Sequence, residues 1–252
     1  MSDIILAAPP IDTDAEIDRL ARRYKAAGGL GVQLLNALGT GADTLLDQLP
    51  ANARDQLNET THAALSHALT AASASRRVVP DQAEWLNRAV STGLGAAGGF
   101  GGLPTALAEL PVTTTLLLRV IEGVAVEHDF DPTSESVRFD CVQVFGAAGP
   151  LEHDDGSDVA FLSARMALSG AATQALITRV APRLAVVLGQ KLAAQTVPVL
   201  GAMAGAATNY AYTKYYTDVA HVHFGLRRLA IATDVPHDRM VARLKAEVLA
   251  LR

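Results

Sequence analysis

Two long stretches of this chain carry no charged residue, positions 89–108 and 192–213. Both are rich in glycine and alanine. The first contains TGLGAAGGFGGLP, with six glycines between positions 93 and 102. Glycine costs a helix conformational entropy, so repeated glycines in an apolar run need a compensating role. Their spacing supplies one. Gly95 and Gly99, Gly98 and Gly102, and Gly201 and Gly205 stand four apart, which on a helix clears a groove where another backbone can lie. Each stretch is also long enough to cross a bilayer core. Pro104, Gln195, Pro198 and Asn209 weaken them as spans, and buried helices in close backbone contact are the expected outcome. Gly95, Gly99, Gly102, Gly201, Gly205 and Asn209 are then the residues expected at tight helix contacts or against an apolar ligand held there.

The same run contains a literal G-x-G-x-x-G at Gly93, Gly95 and Gly98. A dinucleotide site needs a strand before the first glycine, a helix after the third, and an acidic residue about 20 positions later. The preceding PDQAEWLNRAV is helical in spacing, Glu109 lies too near, and Glu122 falls in a different helix. No P-loop sequence occurs. Nucleotide binding is therefore not expected, and neither is any other cofactor.

Helical periodicity dominates elsewhere. Thr13 and Glu16 read as a capping box, after which Ile17, Leu20, Ala21 and Tyr24 share a face. Between Arg54 and Ser75 the apolar positions are Leu57, Ala64, Leu65, Ala68, Leu69 and Ala72. Pro80–Asp81 opens another helix toward the glycine cluster. A further helix is expected to begin at Pro111 and finish before Asp131–Pro132, and TSESVRFDCVQV forms a shorter one. Ser157 is a natural N-cap, Pro182 and Pro198 should divide the next apolar region into segments, and a last helix starts after Pro236. Only TTTLLL looks β-like, and its setting favours helix. The expected fold is all-α, with residues 1–252 as one domain, a tail at 1–12 and a C-terminal helix at 236–252.

GLGAAGGFGGLPTALAELPVTTTLLLRVIEGVAVEHDFDP, and after it VPVLGAMAGAATNYAYTKYYTDVAHVHFGLRRLA, resembles the EcsC family of bacterial proteins over roughly Ala21 to Ala230. The resemblance lies in the order of the glycine cluster, the Glu-Leu-Pro-Val-Thr-Thr sequence, the Phe-Asp-Pro turn, the Asn-Tyr stretch and the His-Phe-x-x-Arg-Arg ending. It implies a helical protein whose family is named for a member encoded beside an ABC transporter. It does not imply a reaction.

Composition limits the partners. Hydrophobic residues make up 50% of the chain, the mean hydropathy is +0.21, and the formal charge is −5. That charge disfavours nucleic acid and anionic lipid as electrostatic partners. The doublets Arg22–Arg23, Arg76–Arg77 and Arg227–Arg228 read as solvated helix faces. Cys141 is the single cysteine, which fits a reducing compartment and a buried thiol. The N-terminus lacks a signal-peptide pattern, so a cytoplasmic protein, peripheral on the inner face of a membrane, is expected.

Candidate chemistry is sparse. The acidic stretch Glu152, His153, Asp154, Asp155 and Asp158 lacks the order of a calcium loop. His221 and His223 point about 200° apart on a helix and cannot share a metal, so no metal is expected. His223, Arg227 and a carboxylate from another helix, Glu109 first, are expected to meet as a buried ion-pair cluster or a catalytic one. Thr113, Thr114 and Thr115 should bond back to their own helix. The leading functional expectation is a non-enzymatic helical accessory protein associated with a membrane transporter or an apolar, lipid-like ligand. The alternatives are a hydrolase using the His223 cluster and a structural homo-oligomer.

Overall fold

The computed structural model describes residues 11–29, 33, 51–76, 84–100, 102–147, 162, 170–196 and 201–251. Asp12 opens the first helix, α1 (Thr13–Ala27), by accepting hydrogen bonds from the backbone N–H groups of Asp14 and Ala15 at 3.1 and 3.0 Å. The expected capping box on Thr13 and Glu16 is thus displaced by one residue, and Glu16 instead pairs with Arg19 along the helix. The apolar face is as the periodicity indicates, with Ile17, Leu20, Ala21 and Tyr24 all buried.

The other described helices are α2 (Ala51–Arg76), α3 (Glu84–Phe100), α4 (Gly102–Glu127), α5 (Glu135–Val144), α6 (Gly170–Thr196), α7 (Gly201–Thr233) and α8 (His237–Ala250). No strand occurs among the described residues, and the fold is all-α. On α2, Leu57, Ala64, Leu65, Ala68, Leu69 and Ala72 are all buried, as their spacing requires. Two prolines expected to bound helices lie inside them, Pro111 in α4 and Pro182 in α6. Both are exposed, so water can take the carbonyl left without an N–H partner. Thr114 and Thr115 bond back to the carbonyls of Leu110 and Pro111 at 2.8 and 2.7 Å. Asp129 and Asp234, at φ 65° and 52°, provide the left-handed residue that ends α4 and α7.

The glycine motif falls within α3, with no strand before it, which removes the geometric basis of a dinucleotide loop. The uncharged stretches are each divided, the first between α3 and α4 and the second between α6 and α7. No helix among the described residues is long and apolar enough to cross a membrane.

The centre of the structure is α7, which contacts α1, α3, α4, α5, α6 and α8. Every residue in 215–226 is buried, as expected of a helix enclosed on all sides. Its most extensive contact is with α3, and there the two backbones touch. A Cβ at Gly95 would overlap the Gly205 carbonyl and come within 2.7 Å of the Asn209 side-chain nitrogen. A second close approach involves Gly225, where a Cβ would lie 2.9 Å from Leu20 of α1. Gly99 lies in α3, and Gly102 and Gly201 begin α4 and α7; their surroundings lie outside the described residues.

Replacing Gly95 with alanine should force α3 from α7 and destabilise the protein by about 1–3 kcal/mol. Gly93 offers the control, since nothing lies within 4 Å of a Cβ built there. Gly93→Ala should stabilise by about 0.5–1 kcal/mol through helix propensity. Urea unfolding of the two variants should give opposite signs.

Candidate functional site

The α3–α7 contact is held in register by polar groups. Asn209 of α7 donates through Nδ2 to the Ser91 carbonyl at 2.9 Å and to Glu109 Oε1 of α4 at 3.1 Å. The Thr213 hydroxyl reaches Ser91 Oγ at 2.6 Å, and Thr113 Oγ1 donates to the same Glu109 oxygen at 2.9 Å. Ser91, Asn209, Thr113 and Thr213 are buried. These bonds tie three helices beside the glycine contact.

Their geometry decides the fate of the expected Glu109–Arg227 pair. Asn209 and Arg227 are separated by 18 residues of one helix (227 − 209), or about 27 Å. A carboxylate bonded to Asn209 cannot reach Arg227. The arginine instead pairs with Asp140 of α5, and Ser136 accepts a further bond from it at 3.3 Å. Phe130 stacks below the guanidinium, 4.6 Å from ring centroid to Cζ. His223 completes the group, with Nε2 3.4 Å from Asp140 Oδ1 though not aligned as a hydrogen bond. Burial pushes the Asp140 carboxyl up, and His223 and Arg227 more than offset this, holding it below the usual carboxylate range. The cluster of a histidine, an arginine and a carboxylate exists, with Asp140 in the place expected for Glu109. His223 is 2% exposed and packs edge-on against Phe224, so it is sealed from solvent.

The arginine doublets divide their work. Arg22 and Arg228 face solvent and pair with Asp18 and Asp129. Their neighbours turn inward, because adjacent helical residues diverge by about 100°. Arg23 bridges Asp218 at 2.8 Å and Glu84 at 3.6 Å, and Arg227 meets Asp140. Arg76 likewise approaches the fully buried Glu122 at 4.0 Å. The reading of these doublets as wholly solvated therefore fails at Arg23, Arg76 and Arg227.

His221 faces the opposite way from His223. Its Nε2 lies 2.9 Å from Glu84 Oε1 of α3 and 3.7 Å from Glu127 Oε2 at the end of α4. Its Nδ1 lies 3.1 Å from Nε2 of His128. With both rings neutral, His128 donates to His221 and His221 donates to Glu84, a tautomer chain set by the partners. Burial lowers the pKa of His128 to about 4, helped by the charges of His221 and Arg228. Burial and Arg23 also lower His221, against the pull of Glu84 and Glu127. Burial pushes Glu84 up, but its bond to His221 and the nearby arginines hold it below the usual range. Beside this cluster is a pocket of about 70 Å³ lined by Glu84, Asn87, Arg119, Gly123, Glu127 and Thr217.

Of the expected site residues, the structure brings Gly95, Gly205, Asn209 and Glu109 together, and His223 and Arg227 separately. Glu84, Glu127, His128 and Asp140 escape a reading by spacing. They join His221 and His223 from other parts of the chain, and no local pattern links them. The acidic stretch 152–158 lies outside the described residues. Cys141 is buried, and burial raises its thiol pKa well above the ordinary value.

A sequence model of the EcsC protein family matches residues 33–229. No curated protein matches the chain, and no solved structure does.

Two measurements test the clusters. Arg227→Met and Asp140→Asn should each cost about 1–3 kcal/mol, and the double variant less than their sum, because removing both partners leaves no charge stranded. The second test concerns pH. The unfolded chain protonates His128 from about pH 6.5 downward, whereas the folded state resists until about pH 4. Folding stability should hold above pH 6.5 and fall between 6.5 and 4. Urea unfolding at pH 7.5 and 5 should show this loss, and His128→Gln should reduce it.

Proposed function

The chain belongs to the EcsC protein family, and from that premise we propose a non-enzymatic accessory protein that docks on a membrane surface through an apolar helical face. The observation that carries the proposal is a pair of exposed, uncharged stripes on the two most closely packed helices. On α3 these residues are Trp85, Ala89, Val90, Gly93 and Ala97; on α7 they are Met203, Ala207 and Tyr210. Trp85 is 67% exposed and Met203 76%, which leaves large apolar side chains in water. Tryptophan and tyrosine suit an interface that is apolar on one side and wet on the other.

Such a face supports peripheral attachment on the cytoplasmic side, with a membrane transporter as the partner that the family resemblance implies. It also shifts the apolar contact from between the glycine-lined helices to their outside, since Gly95 and Gly205 fill the space between them at that point. The hydrolase alternative has less support. His223 lacks an approach for substrate, and Glu109 is committed to Asn209 and Thr113. A homo-oligomer through the same stripes would appear in light scattering of the purified protein, with Trp85→Ser returning it to monomer.

Flotation with phosphatidylcholine vesicles tests the docking reading. Wild-type protein should float with the vesicles, and Trp85→Ser together with Met203→Ser should remain in the dense fraction while keeping the melting temperature. Alkaline carbonate should release the wild type from cell membranes. Recovery in the soluble fraction both with vesicles and with native membranes would reject the proposal.

A further inference from the structure

We propose that Glu84, Glu127 and His221 form a site for one divalent metal ion of the zinc class, clamped between α3, α4 and α7. The inference is independent of membrane docking. Its basis is the position of three ligand atoms, one from each residue, all within 4.8 Å of one another. Ligands bound tetrahedrally at about 2.0–2.2 Å from an ion lie about 3.3–3.6 Å apart. The separations of 2.9 and 3.7 Å from His221 Nε2 bracket that value. Glu127 is half exposed at the end of α4, so its carboxylate can make the remaining adjustment without moving a helix.

The surrounding groups favour coordination by this set. With an ion on His221 Nε2 the metal-free tautomer chain reverses: Nδ1–H of His221 donates to His128 Nε2, 3.1 Å away, and the Nε2 lone pair faces the two carboxylates. Such an outer partner is the usual means of orienting a metal-bound imidazole. Arg23 and Arg88 compete for Glu84. Arg23 has a nearer carboxylate in Asp218, at 2.8 Å against 3.6 Å, and Arg88 contacts Oε2 rather than the Oε1 that faces His221. Lys214 is likewise held by Asp218 at 2.5 Å. One nitrogen and two oxygen donors suit a borderline cation such as Zn²⁺ better than Mg²⁺ or Ca²⁺, which prefer oxygen alone. Three protein ligands leave a fourth position, and the adjoining pocket, lined by Glu84 and Glu127, has room for water there. The expectation of no metal rests on His221 and His223 failing to share an ion; this set uses His221 alone.

The test uses the full chain, stripped of metal with a chelator, titrated with Zn²⁺ by calorimetry and with Co²⁺ by visible absorption. One equivalent should bind. Glu127→Gln should weaken binding at least ~100-fold, and His128→Gln about 10–100-fold. The half-exposed Glu127 allows the first substitution without loss of fold, checked by circular dichroism and an unchanged melting temperature without metal. Failure of the wild type to bind Zn²⁺ at millimolar concentration would overturn the proposal. So would equal binding by wild type and Glu127→Gln, which would place the ion elsewhere, including on the acidic stretch 152–158.

Discussion

The contact on which this structure depends is the meeting of two backbones at Gly95 and Gly205. Helices normally stand about 8–10 Å apart because side chains separate them. With no Cβ at Gly95, α3 settles against α7 closely enough for Asn209 to reach the Ser91 carbonyl and for Thr213 to reach Ser91 Oγ. The polar seam is thus a consequence of the steric one. Apolar packing alone tolerates sliding, whereas hydrogen bonds at fixed positions do not. Glu109 extends the seam to α4 and fixes a third helix in the same register.

That register places the remaining polar groups. Once Ser91 lies beside Asn209 and Thr213, the antiparallel course of α3 brings Glu84 to His221 about two turns further on. The end of α4 then delivers Glu127 and His128 to the same point. On the opposite face of α7, α5 presents Asp140 to His223 and Arg227. Both clusters are built on or beside the fully buried 215–226 segment of α7, where an unpaired charge would be costly. Their ionised members are accordingly paired, and burial resists protonation of His128 and His221.

Much of this fold is legible in the residues. Helical spacing on α1 and α2 identifies their buried faces, and the glycine spacing points to the close approach at Gly95 and Gly205. Polar partners are legible only in kind. An arginine after an apolar run needs a carboxylate, and one is there, but choosing Asp140 over Glu109 depends on distance along α7. Sequence carries no measure of that until the helix packing is known. Pro111 and Pro182 show a related limit, since a proline ends a helix or rides on its exposed face according to the neighbours that cover it.

The two histidine clusters also constrain how α7 can move. His221 and Arg227 are tethered on different sides of one rod, the first to α3 and α4 and the second to α5. Turning the rod about its axis would strain both sets of tethers together, and a shift along the axis would pull Asn209 and Thr213 off Ser91. The helix is therefore held against rotation and against sliding by tethers at different points along its length. Force applied to the exposed side chains near its N-terminal end would load the Ser91 bonds on α3 before it reached Asp140 on α5.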